Sequence, residues 1–187
     1  MSTDIIARLE RLEASLQVQQ LPARYAMAMD ARDLDALVSL YVEDVDCGSR
    51  GRGRAALRAH FAGVAASFYR SIHQIVGHIF DFTDNEHATG RVYCRAEHER
   101  GDQWIVADVC YFDRYERRGD RWLFANREVD FFYCADHLEH PQDAGFQRWA
   151  AHNVKFTPPM MLPRFPTWKE FWSAHPAEEI ASLTSKP

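Results

Sequence analysis

Residues 71–98 read SIHQIVGHIFDF TDNE HATGRVYCRAEH, two runs with a turn signal between them. In the second run Ala88, Gly90, Val92, Cys94, Ala96 and His98 alternate with Thr89, Arg91, Tyr93, Arg95, Glu97 and Glu99, the period of a strand buried on one face. His98 therefore belongs to the small, apolar face that turns toward a core. Thr83 to Glu86 is rich in turn formers, so the two runs make an antiparallel hairpin. The first run is less decided. His73 shares a face with Ile75, Gly77 and Ile79, against Ile72, Gln74, Val76, His78 and Phe80, and both faces are partly apolar. A hairpin turning near Asn85 sets residue i opposite about 170 − i, which brings position 73 near 97. A one-residue shift or a bulge would seat His73 beside His98.

Working outward, turn signals at Arg100 to Asp102 and Arg118 to Asp120 divide the following residues into two more strands. The four run over 71–82, 87–99, 103–117 and 121–134, at or beyond the usual upper length. Upstream the period is helical. Ile5, Leu9, Leu12 and Leu16 recur every three or four residues between Asp4 and Gln19, predicting a helix with one buried stripe. Pro22 suits the first turn of a second helix that runs to Met29, with Asp30 at its end. Asp33 can cap a helix from Leu34 to Tyr41. A short strand around Val45 and Cys47 leads into the glycine-rich turn Gly48 to Gly53, and Arg54 to Ser67 reads as a further helix. No Gly-Lys-Ser/Thr closes that turn, so it is not a phosphate-binding loop.

Helices followed by long antiparallel strands imply an α+β fold, a strongly curved sheet wrapped round helices. Residues 1–134 form this domain. From 135 to 187 periodicity stops and prolines accumulate, yet Phe156, Met160, Met161, Leu162, Phe165, Trp168, Phe171 and Trp172 are too apolar for a solvated tail. The segment is expected to pack as an arm over its own pocket or a neighbouring subunit. A net charge of −5 provides no field for nucleic acid or an anionic membrane. No stretch approaches ~20 apolar residues and no secretory signal opens the chain, so a cytoplasmic protein is expected. Cys47, Cys94, Cys110 and Cys134 include no C-x-x-C pair, and read as reduced thiols rather than zinc ligands or a disulfide frame.

His98 alone admits two readings, a core imidazole with a hydrogen-bond partner or an acid-base group. Asp30 is either a solvated helix terminus or the carboxylate that orients His73, fixing its tautomer and raising its basicity. One neutral and one charged imidazole can then act as base and acid without a cofactor. Two histidines and a carboxylate also make up a facial iron triad, but the short His-x-Asp/Glu pair that usually begins one is absent, and no metal is expected.

At these residues the sequence resembles the SnoaL-like branch of the nuclear transport factor 2 superfamily, and within it the scytalone dehydratase-like branch. The likeness covers about residues 5–134, through Arg-Tyr-Ala-Met-Ala-Met-Asp-Ala-Arg-Asp at 24–33, Ser-Ile-His-Gln at 71–74, the strand from Gly90 to His98, and Tyr-Glu-Arg-Arg-Gly-Asp-Arg-Trp-Leu-Phe at 115–124. The resemblance implies a cone-shaped α+β barrel with a deep pocket, Asp30 and His73 as a catalytic dyad, and His98 as a second catalytic histidine. It also implies a homotrimer. The substrate-holding positions depart from the dehydratase: Met29 stands where it has a tyrosine, Cys47 near a second tyrosine, and Tyr111 on its asparagine. Tyr25, Tyr41, Cys47 and Tyr111 are therefore the expected substrate contacts. The expected function is a cofactor-independent lyase, working by dehydration or retro-aldol cleavage on a small aromatic or polycyclic hydroxylated substrate. A noncatalytic small subunit of a ring-hydroxylating dioxygenase, an isomerase or cyclase, and a binder of hydrophobic ligands are the alternatives.

Overall fold

The structure, a computed structural model, describes residues 3–100 and 103–138, together with 170, 173–174 and 176–178. Its elements are α1 (Thr3–Asp30), α2 (Leu34–Ser39), a 3-10 turn (Gly48–Arg50), α3 (Arg54–Ala65), β1 (Arg70–Phe82), β2 (His87–Arg100), β3 (Gln103–Arg118) and β4 (Arg121–Asp136). The strands form one antiparallel meander in sequence order. Its inner face covers the carboxyl-terminal half of α1, where the Tyr25 ring meets Tyr111 and Phe124 edge-on at 6.0 and 6.2 Å. The α+β expectation and the strand positions agree with this architecture. The arm expected from 135 onward lies almost wholly outside the described residues.

Local chemistry explains the helix boundaries. Asp33 Oδ1 accepts the Ala36 N–H at 2.9 Å and caps α2. Between α1 and α2 the chain reverses at Arg32, which sits at φ 59°. A side chain is disfavoured in this left-handed region, and the Arg32 guanidinium offsets the strain by donating to Met29 O, Ser71 Oγ and Phe68 O at 3.0, 2.7 and 3.1 Å. Residues 45–47 make no strand beyond an isolated Asp46–Arg52 bridge. The chain turns at once through Gly51 and Gly53, whose φ values of 106° and 88° leave no room for a paired run.

Two expectations for α1 are corrected. It is one helix with Pro22 inside, not two. Ile5, Leu9, Leu12 and Leu16 are not buried but 45–61% exposed. The sheet packs against the opposite side of the helix, reaching Ala14, Val18, Leu21, Tyr25 and Ala28.

Register irregularities control which residues face inward. Ile75 pairs with Cys94 and Gly77 with Tyr93, so Val76 is an extra, unpaired residue in β1. Before it, Ser71, His73 and Ile75 face the helices; after it, His78, Phe80 and Phe82 do. The expected grouping of His73 with Gly77 and Ile79 is thus overturned at the bulge. Two further irregularities in β4 leave Ala125 and Phe132 unpaired. Gly90 lies where β2 passes under Tyr115: a Cβ there would lie 2.9 Å from Tyr115 Cε2 and 3.1 Å from Ile79 O. Gly90→Ala is expected to destabilise the fold by about 1–3 kcal/mol, measured by chemical denaturation.

Candidate active site

Asp30 ends α1 directly beneath the first turns of β1. Its Oδ2 accepts the His73 backbone N–H at 2.8 Å, and its Oδ1 accepts from His73 Nδ1 at 2.6 Å and from Ser71 Oγ at 3.0 Å. Burial works to raise the Asp30 pKa, but the side-chain and backbone hydrogen bonds from His73 outweigh it, and the net shift is downward. A carboxylate at this position requires Nδ1 to carry the proton, which leaves Nε2 of His73 as the basic nitrogen.

The bulge brings His73 opposite Ala96, on the same face as His98 and one pleat away. The two imidazoles stand perpendicular, 5.5 Å between ring centroids. His98 is 7% exposed and packs against Phe68 at 4.3 Å. Both line an open-mouthed cavity of about 530 Å³ bounded by α1, α3, the glycine-rich turn and the inner face of all four strands. Tyr25, Tyr41, Cys47 and Tyr111 line it too, so all the site positions expected from sequence except Asp30 reach one space, and Asp30 sits behind His73. The three phenols are fully neutral donors at ordinary pH: burial pushes Tyr25 up to about 12 and raises Tyr41 and Tyr111 well above the usual value. Cys47 is also raised, chiefly by burial, which disfavours a thiolate nucleophile.

A further group was missed from sequence. Arg127 of β4 is almost fully buried and holds Asp113 of β3 in a two-pronged pair, Nε to Oδ1 at 2.8 Å and Nη2 to Oδ2 at 2.7 Å. Its guanidinium carbon lies 4.3–4.4 Å from the Tyr25, Tyr111 and Phe124 ring centroids. Tyr115 donates to Asp113 at 2.8 Å, and its oxygen meets His78 Nε2 at 3.0 Å. Burial works to lower the Arg127 pKa, but Asp113 dominates and the guanidinium stays charged. The remaining nitrogen, Nη1, is buried with no hydrogen-bond partner among the described residues, and Arg127 lines the cavity. A sequence signal existed: Asp113 interrupts the otherwise apolar inward series Ile105, Ala107, Val109, Tyr111, Tyr115. His60 of α3 and Asn126 also line the cavity and were not anticipated.

The SnoaL-like domain family matches residues 10–128. The chain belongs to that family. Solved structures support the same fold. A protein from Novosphingobium aromaticivorans assigned as a scytalone dehydratase is 20% identical, covering 71% of this chain and 93% of its own, with a TM-score of 0.61. A hexachlorocyclohexane dehydrochlorinase from Novosphingobium barchaimii is 19% identical over 81% of this chain and 99% of its own, at 0.64. A protein of unknown function from Mycobacterium tuberculosis is 24% identical over 70% and 82%, at 0.57. No curated protein matches the chain in sequence. In this SnoaL-like chain no group of three metal-ligating side chains gathers among the described residues, and both Asp30 oxygens are already occupied by donors. No described helix is long and apolar enough to cross a membrane.

Two measurements check these interactions. Asp113→Ala strands a buried guanidinium and is expected to cost about 3–5 kcal/mol in unfolding free energy. Asp30 has a depressed pKa, so its stabilisation is fully present above its unfolded value and is lost as pH falls through the folded one. The stability gap between the wild type and Asp30→Asn should be flat above roughly pH 5 and should close below roughly pH 4, read by denaturation across pH.

Proposed function

We propose that this chain is a cofactor-independent lyase of the dehydratase type, acting on a small aromatic or polycyclic substrate that bears a carbonyl or phenol near a hydroxyl. The observation that carries this reading is the Asp30–His73 pair facing His98 across one largely apolar cavity. His73 Nε2 takes the proton from carbon adjacent to the carbonyl. Arg127 Nη1 supplies an unspent donor, in a buried setting, for the oxyanion that develops there. His98, protonated, gives its proton to the departing hydroxyl; a carbon–hydrogen and a carbon–oxygen bond break, a carbon–carbon double bond forms, and water leaves. The phenols of Tyr25, Tyr41 and Tyr111 orient the ring system.

The assembly is read as a homotrimer, supported by exposed Ile72, Val76, Ile79 and Tyr93 on the outer face of β1 and β2. Four free cysteines suit a reducing, cytoplasmic setting. Hydroxylated aromatic ketones can be screened for loss of water by absorbance and mass. On a substrate so found, folded His73→Ala and Asp30→Asn proteins should each lose about 10²–10⁴ in kcat, and full turnover by either would refute the mechanism.

A further inference from the structure

The amino-terminal part of α1 is exposed on every side from residue 4 to residue 13, although a free-standing helix of this length is marginal in water. Ile5, Leu9, Leu12 and Leu16 are spaced four, three and four apart, which is the d, a, d, a spacing of two heptads. At about 100° per residue this stripe lies on the side of the helix opposite Arg11, Ala14, Gln17 and Val18. Through those four this part of the helix meets its own sheet: the Arg11 guanidinium over the Phe82 ring at 4.2 Å, Gln17 bonded to Asp120 O and Trp122 N at 3.0 and 2.9 Å, Ala14 and Val18 against the core. The chain's own sheet therefore cannot cover the stripe.

We infer that this seam docks on the same seam of other copies of the chain, as a short parallel coiled coil. Charge selects the partner. Arg8 occupies the g position and Glu13 the e position of the next heptad, so in parallel register each Arg8 faces Glu13 of the neighbouring copy. Leucine at both a positions with isoleucine at the first d position favours more than two strands, and Ile6, 45% exposed at an e position, widens the apolar seam as a three-stranded bundle requires. The surface is separate from the cavity and does not depend on its chemistry.

The full-length chain carrying Leu9→Cys is the probe, because parallel a positions face one another. Mild oxidation should give a covalently linked pair of chains that wild type, with its native thiols, does not give. Amides of residues 5–16 should also be protected from hydrogen exchange, more so at higher protein concentration. Arg8→Glu or Glu13→Arg in the Leu9→Cys chain should weaken the association that yields the link by about tenfold, and the doubly reversed chain should recover it. Leu12→Gln should abolish the link while circular dichroism reports an intact fold. Failure to cross-link, exchange protection independent of concentration, or no recovery in the double reversal would each overturn the seam; the second result would mean that the chain's own carboxyl-terminal residues cover the stripe.

Discussion

One extra residue in β1 decides which side chains meet. Strands alternate strictly, and the inward series at the end of β1 is set by the hairpin turn, so Phe82, Phe80 and His78 face the helices. Continued without interruption, that series would reach Gln74 and Ile72, and His73 would point to solvent. Val76 absorbs one position, is itself 67% exposed, and returns His73 to the inner face. Only then can the Asp30 carboxylate receive both the backbone and the ring N–H of the same residue. The same pairing ties the last turn of α1 to the first strand.

Two electrostatic arrangements border the cavity and differ in kind, one partly buried and one buried. Asp30 is satisfied by donors from one strand, so its charge is spent on orienting an imidazole. Arg127 is balanced by Asp113 and flanked by three aromatic rings, yet keeps a nitrogen unspent. A buried ion pair contributes little net stability compared with a well-packed apolar replacement. The open donor, more than the pair, is therefore what the proposed oxyanion role rests on.

The hairpin was legible because β2 keeps a clean period of two, with Ala88 through His98 on one face for its whole length, whereas in β3 Val106 and Cys110 are buried together with the inward series from Ile105 to Tyr115. His98 was assigned correctly for that reason. His73 was reached through pairing and resemblance, since its own strand changes phase within three residues of it. Arg127 was missed by the same physics. Trp122 and Phe124 begin β4 facing inward, and counting by twos from them selects Asn126 and Glu128; the unpaired Ala125 shifts the series to Arg127, Val129 and Phe131. In α1 the helical period was read correctly but the burial was not, because periodicity locates an apolar stripe without saying what lies against it.

Pro22 divides α1 into lengths with different duties. It has no N–H to offer the Val18 carbonyl, so the ladder of helical hydrogen bonds is interrupted there. It is also fully buried. Unwinding of the exposed amino-terminal turns, which propagates bond by bond along a helix, meets a residue whose φ is fixed and whose packing does not rely on the missing bond. The proline thus gives unwinding a stopping point between the exposed amino-terminal turns and the segment that holds Asp30 in its bond to His73.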